Sequence, residues 1–144
     1  MKKLLYTLLA VSIIFSACKK EEENSSNTNI TISVSNMIGV WNATSFILDG
    51  IDYTTIAGIQ SLDVIIYSDM TFEERRLVAN EPPFVFPGNW ELSGSVLIFT
   101  YDTGEYVRYN INSLTNNTAS LTLLEYLNNG CSEYSTGSCN LVKQ

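Results

Sequence analysis

The chain has 144 residues, 45% hydrophobic and 11% aromatic, with 8 basic against 15 acidic side chains and a net charge of −7. That acid excess excludes a nucleic-acid partner, because such binding rests on Lys and Arg neutralising phosphates. Histidine is absent, which removes the commonest general base and metal ligand and with them any Ser-His-Asp or Cys-His arrangement. No glycine-rich phosphate loop or metal-ligand cluster takes its place. A carboxylate-only hydrolase is the one catalytic scheme left open, and the reading is a protein that is not an enzyme, with no cofactor and no metal.

In chain order, Lys2 and Lys3 precede an apolar run from Leu4 to Phe15 broken only by Thr7 and Ser12. The run is shorter than the roughly 20 residues a membrane-spanning helix needs. A charged start, a short apolar core and small residues before a cleavage point describe a signal peptide over residues 1–17. Phe15-Ser16-Ala17-Cys18 resembles the lipobox of bacterial lipoproteins, with Phe15 where leucine is commonest. The resemblance implies cleavage before Cys18 and lipidation of its sulfur. Each buried acyl methylene contributes about 0.8 kcal/mol, so two or three chains hold a domain on a bilayer. The expected location is the outer membrane, lipid-anchored, facing the periplasm or the cell surface.

Residues 18–35 read as a polar, flexible tether, although Ile30, Ile32 and Val34 alternate with polar residues as in a strand. Its opening Lys19-Lys20-Glu21-Glu22-Glu23 resembles the acidic signals that carry some lipoproteins to the outer face. A solvated charge run that spaces the domain from the headgroups accounts for it equally well. Without Lys2 and Lys3 the net charge is −9, which also argues against electrostatic attachment to anionic lipid.

Residues 36–144 show short apolar or alternating runs divided by turn signals such as Asp49-Gly50, Ser93-Gly94, Asp102-Thr103-Gly104 and Asn129-Gly130. That is an all-β pattern. Strands are expected at 39–48, 51–57, 61–67, 70–78, 86–92, 95–101, 105–113 and 118–127. Short connections make neighbours antiparallel, and about eight strands in an up-and-down meander close into a barrel. With Cys18 lipidated, Cys131 and Cys139 are an even pair in an exported chain and are expected to form a disulfide. That bond would clamp a C-terminal appendage following Gly130.

Gly39-Val40-Trp41 at the first strand resembles the Gly-x-Trp opening of lipocalin-like barrels. Gly88-Asn89-Trp90, followed by a turn at Ser93-Gly94 and the apolar Val96-Leu97, is similar to the middle of small lipocalin-like domains on bacterial lipoproteins. The resemblance spans about residues 36–127 and implies a lipocalin-like barrel that binds a small ligand. It also implies an arginine on the last strand packed on the first tryptophan. The strand at 118–127 has none, and Arg108 lies one strand earlier, which indicates a shorter relative.

Trp41 and Trp90 are read as barrel-floor packing or as ligand-stacking rings. Pro82-Pro83-Phe84-Val85-Phe86-Pro87 is kept from a central strand by its prolines. It is either a loop folded on the barrel end or an apolar lid or partner patch presenting Phe84 and Phe86. In Glu73-Glu74-Arg75-Arg76, consecutive residues face opposite ways, so Glu73 and Glu74 cannot form a carboxylate pair. Surface ion pairing is the plain reading. If Phe72 points inward, Glu74 and Arg76 go with it and can meet a polar ligand. The expected partners are the membrane through the N-terminal lipid and either a small apolar or amphipathic ligand or an envelope protein. The latter includes an outer-membrane assembly or a basic enzyme such as lysozyme, on analogy of architecture alone.

Overall fold

The computed structural model of the protein describes residues 29–144. The signal peptide, Cys18 and most of the tether lie outside the described residues. Ten strands follow one helical turn, α1 (Val34–Met37): β1 (Gly39–Leu48), β2 (Ile51–Asp52), β3 (Ile59–Ile66), β4 (Thr71–Val78), β5 (Phe84–Ser93), β6 (Val96–Tyr101), β7 (Tyr106–Leu114), β8 (Thr118–Asn128), β9 (Cys131–Ser132) and β10 (Gly137–Lys143). Eight of them form a closed antiparallel barrel in the order β10-β1-β3-β4-β5-β6-β7-β8, with β10 also paired to β8. The two-residue β2 and β9 extend β1 and β8 as flaps. The expected all-β, up-and-down, lipocalin-like barrel is the fold observed.

Two expectations are corrected. Residues 51–57 form no barrel strand: Ile51–Asp52 pair briefly, then Asp52 caps a single 3-10 turn at Tyr53–Thr55 by accepting from the Thr54 amide. The eighth barrel strand is instead β10, within the segment expected to be an appendage. It is held because Cys139 and Leu141 point into the core while both its edges find partners, β1 and β8. A barrel lacking it would leave those two edges open.

The turn chemistry acts as the residues dictate. Asp49 and Gly50 both take positive φ, +46° and +84°, the conformation a two-residue hairpin requires. At Asp102-Thr103-Gly104 the glycine takes φ +99° and the Tyr101 amide donates to the Glu105 carbonyl at 2.9 Å.

Trp41 is fully buried at one end of the barrel, where its indole Nε1 donates to the Met37 carbonyl at 2.7 Å. Helix α1 thereby closes this end as a floor. Lys143 lies opposite Trp41 on β10 and puts its ammonium 5.0 Å from the ring centroid. This lysine takes the place in which the lipocalin resemblance implies an arginine; Arg108 instead meets Glu125 at 3.4 Å. Gly39 explains the first half of the Gly-x-Trp motif, since its φ of +140° is a backbone conformation that L side chains rarely adopt. Gly88 opens the second copy for a different reason. A Cβ would sit 2.2 Å from the Thr100 carbonyl oxygen and 2.7 Å from the Phe72 ring. The chain enters at the floor end: the Ile30 amide donates to Leu114, and Ile30 and Ile32 pack on the core. They do so without forming a strand, and Val34 begins α1.

The expected disulfide is absent, with both thiols free. Cys139 pairs with Leu121 along β8 and Cys131 with Asn128. Seven residues at about 3.3 Å each place them roughly 23 Å apart along that strand, against a Cα separation of about 4.4–6.8 Å for a bridge. Burial pushes the Cys139 thiol up to about 12, while Cys131 is exposed. In the folded domain an alkylating reagent is therefore expected to label Cys131 and spare Cys139, with both labelled in denaturant. Equal labelling of the two under native conditions would contradict the burial of β10.

Candidate functional site

The end of the barrel opposite the floor is a cup. It is organised by the inward face of β4, where Phe72, Glu74 and Arg76 alternate with the outward Glu73 and Arg75. The outer pair is an ordinary surface ion pair at 2.6 Å. The inner pair is different. Glu74 is 4% exposed, and one of its oxygens accepts from Arg76 Nε at 2.6 Å. The other accepts from the Tyr101 hydroxyl, also at 2.6 Å. The buried carboxylate is thus held by charge and by hydrogen bond, as burial of an ion demands. The Arg76 guanidinium lies 4.7 Å over the Phe86 ring, which Glu74–Phe86 pairing between β4 and β5 places beside it.

Above this pair is a cavity of about 180 Å³. Tyr101 and Tyr109 reach it from β6 and β7, and Tyr126 from the upper end of β8. Tyr53 comes from the 3-10 turn and Tyr134 from the segment between β9 and β10. The Tyr134 ring stands edge-on to Tyr126 at 5.0 Å, and its hydroxyl is 3.2 Å from that of Tyr53. This segment has little core of its own and is pinned by Asp49. One Asp49 carboxylate oxygen accepts from the Ser135 and Thr136 amides at 3.0 and 2.9 Å and from both hydroxyls. Those bonds hold the Asp49 carboxyl below its ordinary value, the Thr136 amide foremost.

Below the cup the barrel is nearly solid. Phe72 packs on Phe99 at 4.5 Å and on Tyr101 at 5.0 Å. Only about 30 Å³ remains among Phe46, Phe72, Phe99, Tyr109 and Cys139, the share of a single water. This interior space has no room for a sizeable ligand.

The candidate residues divide accordingly. Glu74, Arg76 and Phe86 line the cup, with Phe72 in the packed layer beneath. Trp41 and Trp90 belong to the floor end, where the Trp90 indole donates to the Tyr67 carbonyl at 3.0 Å. Phe84 is on the rim, 48% exposed, and does not line the cavity. The proline-flanked segment is not a loop: β5 starts at Phe84 and includes Pro87. Residues 84–86 pair with β4 alone, and Pro87 adds only its carbonyl, which accepts from the Asp102 amide at 3.0 Å just ahead of the first β6 partner at Gly88. They form an edge, where proline is tolerated.

The hydroxyls of the cup resist ionisation. Burial first, then the Glu74 charge, holds Tyr101 well above 10, and burial likewise raises Tyr109. Tyr126 is pushed up to about 12, by burial and then by Glu105, Glu133 and Glu74. These groups are protonated in the folded state at a pH where the unfolded chain has lost those protons, so stability falls as pH rises. Cys139 adds to the same slope from its ordinary value near 9. Chemical denaturation from pH 8 to 12 is expected to show a steady stability loss beginning at about pH 9. A flat profile to pH 11 would show these hydroxyls to be open to water. Among the described residues, no group of three or more carboxylates or thiols converges to hold a metal, and no helix is long and apolar enough to cross a membrane.

The model of the lipocalin-like domain family matches residues 37–121, more than half of the chain. Among solved structures, a lipocalin-like protein from Bacteroides uniformis is similar at 17% identity and a TM-score of 0.53, covering 76% of this chain and 99% of that one. An uncharacterized protein from Bacteroides eggerthii follows at 13% identity and 0.52, covering 74% and 98%. The bovine lipocalin allergen Bos d 2 is similar at 12% identity and 0.50, covering 78% and 76%. At these identities the likeness is one of fold. No curated protein matches the sequence.

Proposed function

This chain belongs to the lipocalin-like domain family, and from that premise we propose that it is a non-catalytic, membrane-anchored binding module. It takes a small amphipathic molecule into the cup at the barrel mouth. The observation that carries the reading is the contrast within one barrel. The interior is packed to about 30 Å³ while the mouth keeps about 180 Å³ beside a buried Glu74–Arg76 pair. A cavity of about 150 Å³ accommodates a benzene ring, so the occupant is about one ring in size, well below the 300–1,000 Å³ of common ligand pockets. Apolar walls would take its body, and the polar groups of Arg76 and the tyrosines would orient it.

Anchoring at the outer membrane through Cys18 rests on the leader and the lipobox resemblance. The entry of the chain at the floor, where Ile30 binds Leu114, supports display of the mouth away from the anchored end. Native mass spectrometry of protein purified from its own host is expected to show a retained small molecule, lost on Phe86→Asp substitution. An empty barrel together with a stable protein complex in a pull-down would sink the reading. That result would favour the second one, an interaction role at the cell envelope, which the exposed Phe84 and Val85 on the β5 edge support.

A further inference from the structure

We propose that the cup selects an organic cation, a quaternary or protonated alkylammonium group seated against its aromatic rings; this rests on the reading of the mouth as a ligand site and names the ligand's charge. Seven of the twelve residues that line the cavity are Phe or Tyr, far above the 11% aromatic share of the chain. A ring face is the negative end of the aromatic quadrupole, and several faces around one space attract an ammonium group. Neutral apolar ligands are served as well by Leu, Ile and Val, yet Leu48 is the one aliphatic residue among the lining.

The formal charges lean the same way. Among the described residues Arg76 is the one cation in the wall, and at 2.6 Å Glu74 neutralises it. Glu105 remains, hydrogen-bonded by Thr103 and paired with no cation among the described residues. Glu133 stands next to Tyr134 and is held by Asn128 at 2.6 Å. After burial, three carboxylates oppose ionisation of the Tyr126 hydroxyl, each more strongly than Arg76 favours it. A carboxylate ligand would enter beside Glu74 and Glu105 with only an already paired arginine to receive it. At about 180 Å³, roughly six waters' worth of space, the cup suits a tetraalkylammonium head with a short stem.

The test is a titration of the full-length chain at low salt, followed through its tyrosine ring resonances. The probes are choline, its uncharged carbon isostere dimethylbutanol, and benzoate. Choline is expected to shift the Tyr109, Tyr126 and Tyr134 rings and leave Trp41 at the floor unmoved. Its affinity should exceed that of the isostere by about tenfold, weaken with added salt, and fall several-fold in Glu105→Gln. Equal binding of dimethylbutanol, or tighter binding of benzoate, overturns the cation assignment and leaves the cup as a ligand site. If no probe moves the cup tyrosines, the ligand-site reading itself falls.

Discussion

Trp41→Ala is expected to destabilise the domain by about 3–5 kcal/mol, the range for removing a large aromatic side chain from a core. The side chain is fully buried, so its whole volume becomes a cavity unless α1 collapses into it. Collapse is hindered because the indole is what ties α1 down, through the 2.7 Å bond to Met37. Its loss leaves that carbonyl without its donor, and an unsatisfied buried polar group costs about 1–3 kcal/mol in its own right. The Lys143 ammonium over the ring adds a cation–π term of about 0.5–1 kcal/mol, which disappears too. Trp41→Phe separates these contributions, keeping most of the ring volume and a π face while removing the donor. Urea denaturation should therefore rank wild type above Trp41→Phe and Trp41→Ala last. An alanine variant within 1 kcal/mol of wild type would mean that the floor is not closed by this residue. Because the cup is at the other end of the barrel, a folded Trp41→Phe should bind its ligand as wild type does. A loss of binding there would return Trp41 to the ligand site.

That assignment of ends was only half legible in the chain. Alternation on β4 was enough to put Glu74 and Arg76 on the side of Phe72, because a strand of period two transmits one inward residue to its whole face. The same parity joins Phe99 to Tyr101, and Tyr109 to Val107 and Ile111. It fails for Tyr126. The register of β7 on β8 shifts between Arg108 and Tyr109, so Leu123 and Tyr126 face inward three residues apart. A bulge of this kind leaves no mark in a hydrophobic pattern. Tyr53 and Tyr134 lie outside the barrel strands altogether, placed by the Asp52 cap and the Asp49 pin, each a short-range use of a carboxylate that composition does not reveal. β10 was hidden for a different reason. Gly137 to Lys143 alternates correctly, but its partner β1 is almost a hundred residues away, as in the bond from Thr44 to the Asn140 carbonyl, and its cysteine pointed to a bridge instead. Lys143 reads as surface charge from its residue type alone. A long aliphatic stem lets such a side chain cover apolar surface while its ammonium stays at the edge, which is its position over Trp41.

The buried pair in the cup makes the second large effect. Arg76→Met removes the guanidinium and leaves the Glu74 carboxylate inside the barrel with Tyr101 as its one remaining donor. Removing one partner of a buried pair costs about 3–5 kcal/mol, because the other charge stays buried without compensation. Arg76 is 39% exposed on its side chain, so water can replace part of what it gave, and the expected loss is at the lower end of that range. Glu74→Met does less damage: the orphaned Arg76 can turn toward solvent, and the Tyr101 hydroxyl loses its acceptor, worth about 1–3 kcal/mol. The double variant carries no buried charge at all and is expected to be the mildest of the three, since well-packed apolar replacements of buried pairs are often neutral or better. The order expected in chemical denaturation is double variant, then Glu74→Met, then Arg76→Met as the least stable. Arg76→Met with the stability of wild type would show that Glu74 is not held by this arginine, and the geometry of the cup would have to be redrawn. Retention of the native small molecule makes the complementary measurement. The double variant keeps the fold and the aromatic walls while losing the polar groups that orient a ligand between them. It should release the molecule that wild type retains, which separates what the pair does for binding from what it does for stability: for the barrel the two charges are close to dispensable, and for the cup they are not.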